Sequence, residues 1–216
     1  MSQGNCFLAI EEGKPAYSSS QVAAKLIYST GEDVFTFLFK PLGSKEEIVA
    51  FLETLYSSPK NIFASKHSYW LFENKNRVGF VLGYHGDCET ELILQTIWCV
   101  LKKHKFNPII STQLLKNFFV FQKMTLDVPK NMYYIAHFAI LPEHHRKGLG
   151  SQMMTMLEEK LRERGFEYVC LDVATSNKPA IGLYEKFGFS ITATLTNPDI
   201  EKKTGLLSRY RMEKKL

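Results

Sequence analysis

The chain has 216 residues, of which 45% are hydrophobic, and a formal net charge of +5, so it is long enough to bury one substantial core. Its basic residues are scattered except for short runs at 102–105 and 209–215, which are typical of solvated faces. No basic stripe interleaved with aromatic residues indicates a nucleic-acid partner, and no stretch approaches the roughly 18 apolar residues of a membrane-spanning helix.

The cysteines and the amino terminus indicate the compartment. Cys6, Cys88, Cys99 and Cys170 are far apart and show no CxxC or Cys/His ligand spacing, so we interpret them as reduced, mostly buried thiols and expect no metal site. The amino terminus has no basic segment, and two glutamates interrupt its apolar run, so a signal peptide is not predicted. A cytoplasmic protein that does not bind a membrane is the expectation.

Two helices are predicted in the amino-terminal part. Ser20–Tyr28 and Ser44–Tyr56 each begin with serine and carry apolar residues at helical spacing, and Glu47 completes a capping box in the second. Glu32 and Asp33 fall in the predicted connection between them. We interpret these two acids as solvated, and attraction of a cationic amine is the alternative.

A strand hairpin and a helical hairpin are predicted next. Residues 69–73 and 77–84 are β-rich and flank Asn74-Lys75-Asn76, which is typical of a tight turn. Residues 90–101 and 112–124 are apolar-periodic without alternation, which predicts two helices inside an inserted segment, 87–128. The apolar run 118–121 is expected to pack against the sheet, with a dimer contact or an apolar acceptor pocket as alternatives.

The carboxy-terminal part alternates between the two kinds of element. Strands are predicted at 133–141, 168–174, 189–195 and 206–212, and helices at 148–164 and 178–187. Since no repeat or low-complexity linker divides the chain, one α/β domain with a mixed sheet is predicted.

The segment His145–Gly150 joins a strand to a helix through a basic turn with two glycines. The first turn of a helix presents backbone N–H groups without partners in the helix, and the helix dipole adds partial positive charge. Gly148 and Gly150 would let the backbone approach a ligand closely, and Arg146 and Lys147 add full charges. This corner is predicted to bind a phosphate or diphosphate.

Two phosphate motifs can be compared with this corner. The P-loop pattern GxxxxGK[ST] is absent from the sequence. The dinucleotide pattern GxGxxG is matched by Gly148 and Gly150, but Met153 stands in place of the third glycine. Asp172 lies about where an acid that binds the ribose would be. An NAD-binding oxidoreductase is therefore an alternative enzyme class.

The second block is 177–189, NKPAIGLYEKFGF, directly after a predicted strand. Ala180, Leu183, Tyr184 and Phe187 form one apolar stripe on a short helix, which by itself indicates a packing helix. Together the two blocks resemble the GNAT superfamily of acyl-CoA-dependent N-acetyltransferases, whose pattern is [QR]xxGx[GA] followed by NxxAxxLYxxxGF. The resemblance covers residues 132–216.

The resemblance implies a GNAT-type fold, with a mixed, mostly antiparallel sheet flanked by helices and an inserted helical hairpin before the CoA-binding strand. It implies one domain in which 132–216 bind acetyl-CoA and 1–131 shape the acceptor side. The implied activity is transfer of an acetyl group from acetyl-CoA to a primary amine, small-molecule or peptide, by direct attack in a ternary complex. A homodimer and a non-catalytic acyl-CoA sensor are kept as alternatives.

The resemblance also implies which residues contact acetyl-CoA. The main chain of the strand would pair with the pantetheine arm, the turn would wrap the diphosphate, and two residues of the second block would lie near the acyl arm and the sulfur. The strand residues are Phe138, Ala139 and Ile140. The turn residues are His145, Arg146, Lys147, Gly148, Leu149, Gly150 and Ser151. The residues of the second block are Asn177, near the acyl arm, and Tyr184, near the sulfur. His145 departs from the Gln or Arg of the family, so a fixed charge or amide is replaced by an imidazole that can donate one hydrogen bond.

Three residues are candidates for catalysis. Tyr184 could protonate the leaving thiolate, because a phenol has a reference pKa of about 10, near that of a thiol; a core tyrosine is the alternative. Tyr134 stands where some relatives carry Glu and is a poor base near neutral pH. Strict alternation places His137 on the opposite face from Tyr134 and Phe138, so only a strand bulge would bring it to the substrate; we interpret it as packed or solvent-facing.

Overall fold

A computed structural model describes residues 8–13, 17–105 and 107–216 of the chain. Within these residues, the strands are β1 Leu8–Glu12, β2 Ser68–Glu73, β3 Asn76–His85, β4 Met132–Ile140, β5 Tyr168–Ala174, β6 Ser190–Leu195 and β7 Arg209–Lys215. The helices are α1 Tyr17–Thr30, α2 Glu32–Leu38, α3 Lys45–Ser57, α4 Glu89–Lys103, α5 Pro108–Gln122, α6 Leu149–Glu163, α7 Lys178–Lys186 and α8 Pro198–Thr204.

The strands form one sheet in the order β1-β2-β3-β4-β5-β7-β6. The neighbours β4 and β5 are parallel, and the other pairs are antiparallel. The predicted mixed, mostly antiparallel sheet is therefore confirmed.

Each face of the sheet has its own core, because successive side chains of a strand point to opposite faces. Phe80 and Leu82 of β3 belong to the core that includes α1 and α3. Val81 belongs to the core under α6, and so does Val78, which lies at the register shift between β2 and β3. Gly79 lies where α6 approaches closely, since an added Cβ would come within 2.8 Å of the Met153 sulfur. In dinucleotide-binding folds, a glycine of the helix lets the helix pack closely on the strand. Here a glycine of the strand, Gly79, allows the close packing.

Several local predictions are confirmed. Ser44 and Glu47 form the capping box of α3. Asn74 and Lys75 both have positive φ, 48° and 69°, as a two-residue hairpin turn of the I′ type requires. The inserted segment forms the helical hairpin α4–α5, in which Asn107 caps α5 through its side chain.

Three elements have no counterpart in the predictions, namely α2, α8 and β1. The first two have only 7 residues each, too short to show a helical period. The last strand also begins later than predicted, at Arg209.

Two predictions about the surroundings of charged residues are wrong. Glu32 and Asp33 open α2 and do not lie in a connection; Asp33 forms an ion pair with Arg209 at 2.5 Å. The basic run 209–215 is not a solvated face, because Arg209 and Arg211 are buried.

The cysteine prediction is only partly correct. Cys170 is buried, Cys99 is half-buried and Cys88 is exposed, while Cys6 lies outside the described residues. Across the described ranges, no helix combines the length and apolar character needed to cross a membrane.

Candidate active site

The parallel strands β4 and β5 separate part-way along their length. Their pairing runs from Met132 with Tyr168 to Ile135 with Leu171, although β4 continues to Ile140. Beyond Ile135, one edge of β4 therefore faces a gap in the sheet.

The main chain of β4 offers hydrogen-bonding groups to this gap. Leu141 N–H donates to the carbonyl of Val78 on β3 at 2.9 Å. Because backbone groups alternate in direction along a strand, the N–H groups of Ile140 and Phe138 point toward the gap. The Ile140 carbonyl is paired with His145 Nε2 at 2.8 Å, so the imidazole ties the turn to the end of the strand.

The turn after β4 presents free backbone N–H groups at the start of α6. Arg146 and Gly148 both have left-handed backbone conformations, with φ of 61° and 77°. From Arg146 to Gly150, no backbone N–H donates to another group of the described chain, whereas Ser151 N–H donates to Gly148 O at 3.1 Å. Among the residues that the structure describes, no side chain caps the start of α6 at Gly148. These donors and the helix dipole make the turn suited to an anion.

A cleft of about 270 Å³ extends from this turn along the gap. Its walls are Phe138, Ile140, His144, His145, Arg146, Gly148, Leu149, Gly150, Asn177, Pro179, Ala180 and Leu183. Most of the residues predicted to contact acetyl-CoA are thus brought together. Ala139 packs on the opposite face of the sheet, and Lys147 and Ser151 flank the cleft without lining it.

Two residues of the second block lie beside this cleft. The side chain of Asn177 accepts from Ala180 N–H at 3.2 Å and so caps α7. Tyr184 is buried with its ring against Phe138 and Phe189, at centroid distances of 6.4 and 5.7 Å. Burial raises the pKa of Tyr184 above that of a free phenol, and its hydroxyl has no hydrogen bond to the described residues. The group is therefore a protonated donor near the gap.

A second cavity, of about 260 Å³, lies on the other face of the sheet and contains Tyr134 and His137 in its wall. Leu82 of β3 pairs with His137 and Gly83 pairs with Ile135, so Ala136 is bulged out of the register. The bulge that His137 requires is present, and it places His137 on the face of Tyr134 and away from Phe138.

His137 is held in a mostly apolar environment. Its ring lies 5.7 Å from the ring of Phe35 and 5.9 Å from that of Phe63, and its Nδ1 pairs with Thr30 Oγ1 at 2.7 Å. Burial lowers the pKa of His137 to about 3. The imidazole is therefore neutral near pH 7 and a weak base.

Tyr134 belongs to a buried ionic network. Its hydroxyl donates to Asp172 Oδ2 at 3.2 Å, and Asp172 accepts from Arg211 Nε at 2.5 Å. Burial raises the pKa of Tyr134 well above the ordinary value. Since Asp172 pairs with Arg211 and does not line the cleft of Gly148, the ribose-binding role considered for it in an NAD enzyme is contradicted.

Two carboxylates of the second cavity, Glu89 and the exposed Asp127, were not predicted from the sequence. Glu89, the first residue of α4, lines the cavity. It accepts from Val128 N–H at 2.8 Å and from the Tyr84 hydroxyl at 3.4 Å. Burial raises the pKa of Glu89. Nothing in the sequence near Glu89 indicates this location, because it depends on Val128, which is 39 positions away along the chain.

Comparison with known proteins identifies the family. The family model described as Acetyltransferase (GNAT) family matches residues 33–189. The chain belongs to this family. Members of the family use acetyl-CoA. The alternative of an NAD-binding oxidoreductase is therefore wrong. Within the described residues, no group of three His, Cys, Asp or Glu side chains is arranged to hold a metal.

Individual relatives match shorter segments. The chain is 40% identical over 52 residues to [Ribosomal protein bS18]-alanine N-acetyltransferase of Escherichia coli K12, covering 24% of this chain and 35% of that protein. It is 33% identical over 64 residues to the uncharacterized N-acetyltransferase YdgE of Bacillus subtilis, covering 30% and 41%. The match therefore spans less than half the length of these relatives.

A solved structure supports the fold. The crystal structure of an N-acetyltransferase from Staphylococcus aureus Mu50 superimposes with a TM-score of 0.66 at 15% identity, covering 95% of this chain and all of that one. At this identity the similarity supports the architecture alone.

Proposed function

We propose that the chain is an acetyl-CoA-dependent N-acetyltransferase that acetylates a primary amine by direct attack in a ternary complex. The observation that carries the proposal is the combination of the gap beside β4 with the open backbone turn at Arg146–Gly150. One end of the cleft offers unpaired N–H groups for a diphosphate, and the gap exposes strand main chain to an extended arm. In this proposal 132–216 bind acetyl-CoA, and 1–131 shape the acceptor side of the same domain.

The residues of the cleft have different roles in binding acetyl-CoA. The N–H groups from Arg146 to Gly150 hold the diphosphate, with the positive charges of Arg146 and Lys147 beside them. The His145 imidazole uses Nε2 to bond the Ile140 carbonyl, so it holds the turn against the strand. This assigns a structural use to the position where the family pattern has Gln or Arg.

The chemistry needs an oxyanion donor, an acid and an unprotonated amine. The N–H groups of Phe138 and Ile140 that face the gap are the candidates for stabilising the oxyanion. Tyr184 donates its phenolic hydrogen to the departing sulfur. Its raised pKa keeps the proton on the phenol before transfer and makes the group a hydrogen-bond donor more than a strong acid.

The two cavities lie on opposite faces of the sheet. In this proposal they connect at the gap where β4 and β5 separate. Tyr134 and His137 shape the acceptor side of this opening. Because Tyr134 is a half-buried phenol with a raised pKa and His137 is a weak base, we assign both to positioning the amine. Its deprotonation is assigned to water or to a carboxylate of the cavity.

A non-catalytic acyl-CoA sensor is the second candidate, since β4 carries no carboxylate in the described sheet. Measurement of CoA release from acetyl-CoA with a panel of primary amines separates the two functions. Turnover with any amine supports the transferase. Tight binding of acetyl-CoA, measured by calorimetry, without turnover across the panel supports the sensor.

A homodimer remains a proposal about the α4–α5 hairpin. Phe118 and Phe121 line the second cavity, while Phe119 is 61% exposed and Trp98 on α4 is 59% exposed. Light scattering of the purified chain, compared with a Phe119→Glu variant, tests whether this surface joins two copies.

A further inference from the structure

The second cavity, with Tyr134 and His137 in its wall, is bordered by the inserted hairpin and is called the acceptor-side cavity below. The residues of its walls indicate which kind of molecule it binds. It lies between α2, α4 and α5 on one side and the β3–β4 part of the sheet on the other. Apolar side chains from the hairpin form most of the wall, among them Ile93, Ile97, Val100, Leu114, Leu115 and Phe118. A volume of about 260 Å³ is near the lower end for small-molecule sites, so the cavity suits a small, mostly apolar body.

The charged residues of the cavity are few and mostly neutralised. Those that line it within the described chain are Glu89, Asp127, Asp172 and Arg209. Asp172 is paired with Arg211, and Arg209 is paired with Asp33. Asp127 is exposed, at the solvent side of the wall. Glu89 is left as the half-buried carboxylate that faces the cavity without a cationic partner.

Glu89 can accept another hydrogen bond. Its Oε2 accepts from Val128 N–H and its Oε1 from the Tyr84 hydroxyl, the latter at a long 3.4 Å, while a carboxylate has about four lone-pair sites. Burial raises the pKa of this carboxyl, which is the direction that improves a carboxylate as a proton acceptor near neutral pH.

Two threonine hydroxyls of the wall are already paired within the protein, whereas the side chain of Gln122 lies at the exposed rim. Thr96 Oγ1 donates to Leu92 O and accepts from Ile62 N–H. Thr30 Oγ1 donates to Ile27 O and pairs with His137. A ligand with many hydroxyl or amino groups would find few free partners here, and an unpaired polar group in such a site is costly.

On the basis of the proposed transferase function, we propose that the acceptor is a small amine with a single amino group on an apolar or aromatic body. The apolar body occupies the space under the α4–α5 hairpin, and the ammonium group lies against Glu89. Glu89 then takes one proton from the ammonium, directly or through a water, and passes it on to solvent. The neutral nitrogen forms a bond to the thioester carbonyl carbon, the C–S bond breaks, and Tyr184 protonates the departing CoA thiolate. The second proton that the nitrogen loses returns through water to the Tyr184 phenolate. Polyamines, amino sugars and peptide amino termini are disfavoured by the same walls.

The first experiment compares acceptors with the full chain. CoA release from acetyl-CoA is measured with 2-phenylethylamine, spermidine, glucosamine and a short peptide with a free amino terminus. We expect kcat/KM for 2-phenylethylamine to be highest by about tenfold or more, roughly the discrimination that burial of apolar groups in a pocket provides. Equal or higher kcat/KM for spermidine, glucosamine or the peptide overturns the acceptor class and leaves the transferase function standing.

The second experiment tests Glu89 by binding. Calorimetry measures the affinity of 2-phenylethylamine and of its neutral analogue 2-phenylethanol for wild type, Glu89→Gln and Glu91→Gln. Glu91 is exposed on the same helix and serves as the matched control. We expect Glu89→Gln to weaken only the amine, by about tenfold, and Glu91→Gln to weaken neither. Equal loss for both ligands, or no loss, removes Glu89 from amine recognition.

The third experiment tests the apolar wall and keeps the inference separate from catalysis. Leu115 lines the cavity and is half-buried, so Leu115→Trp fills space without replacing a fully buried side chain. We expect weaker binding of 2-phenylethylamine and unchanged binding of methylamine. If no amine supports turnover but 2-phenylethylamine binds and Leu115→Trp weakens it, the transferase function fails and the ligand class stands. Absence of binding to wild type overturns the ligand class.

Discussion

Tyr134 and His137 lie on the same face of β4 although they are three positions apart in the strand. A regular strand would point them in opposite directions. The bulge at Ala136, between the pairs Leu82–His137 and Gly83–Ile135, changes the phase of the strand just beyond the point where β4 and β5 separate. Bulges reorient side chains next to active sites, and this one brings the imidazole into the acceptor-side cavity.

The neutral imidazole of His137 gives a prediction about stability and pH. Burial lowers its pKa to about 3, against about 6.5 in the unfolded chain, so below pH 6.5 the unfolded state binds a proton that the folded state does not. The free energy of unfolding should therefore decrease as the pH is lowered below 6.5, and His137 contributes at most about 1.4 kcal/mol per pH unit to this decrease. Urea unfolding of wild type and His137→Asn at pH 7 and pH 5 measures the effect. We expect a smaller loss in the variant; an equal loss in both contradicts the assignment.

Tyr184→Phe tests the acid. Phenylalanine keeps the packing against Phe138 and Phe189, and no hydrogen bond to the described residues is lost, so the melting temperature and the affinity for acetyl-CoA should not change. The value of kcat should fall by about 100-fold, the lower range for loss of a general acid. The half-buried Tyr168→Phe is the control and should keep full activity. Wild-type kcat in Tyr184→Phe would show that sulfur leaves without this phenol.

Gly150→Val tests the turn. A Cβ at Gly150 would lie 3.5 Å from Leu183 and 3.9 Å from Ile140, which is ordinary contact, so the fold should be retained while the side chain enters the cleft. We expect acetyl-CoA affinity to fall by at least about tenfold, because the diphosphate can no longer approach the backbone. Gly182→Ala, in open space on α7, is the control. Gly148 is less suitable, since its φ of 77° would strain any other residue.

Asp172→Asn tests the buried ion pair. Arg211 is 2% exposed and would keep its charge without a carboxylate partner, so the variant should lose about 3 to 5 kcal/mol of unfolding free energy. Chemical denaturation measures this loss. Replacement of both residues, as Asp172→Leu with Arg211→Met, should be much less destabilising than the single change. A single variant as stable as wild type would show that Arg211 is solvated or paired elsewhere.

The sequence predicts the elements that carry long periodic or alternating patterns, and the turn at Gly148 because glycine and helix-start chemistry are local. Short elements such as α2 were missed, since 7 residues show no period and tertiary packing decides their conformation. The burial of Arg209 was missed for a related reason. Its partner Asp33 lies at the other end of the chain, and only the sheet order brings them together.

The acceptor side was the least predictable part of the candidate site. The phase change at Ala136 comes from a strand irregularity that residue types do not announce, so alternation gave the wrong face for His137 relative to Tyr134. Glu89 enters the cavity because the inserted hairpin folds over the sheet. Its role depends on Val128 and Tyr84 as neighbours, and neither could be paired with it from spacing alone.

A crystal structure of the chain with bound acetyl-CoA would show whether the coenzyme occupies the cleft beside β4. We expect the diphosphate within hydrogen-bond distance of the N–H groups between Arg146 and Gly150, and the sulfur beside the Tyr184 hydroxyl in the gap between β4 and β5. A diphosphate bound elsewhere, or an arm that does not enter the gap, would contradict this expectation.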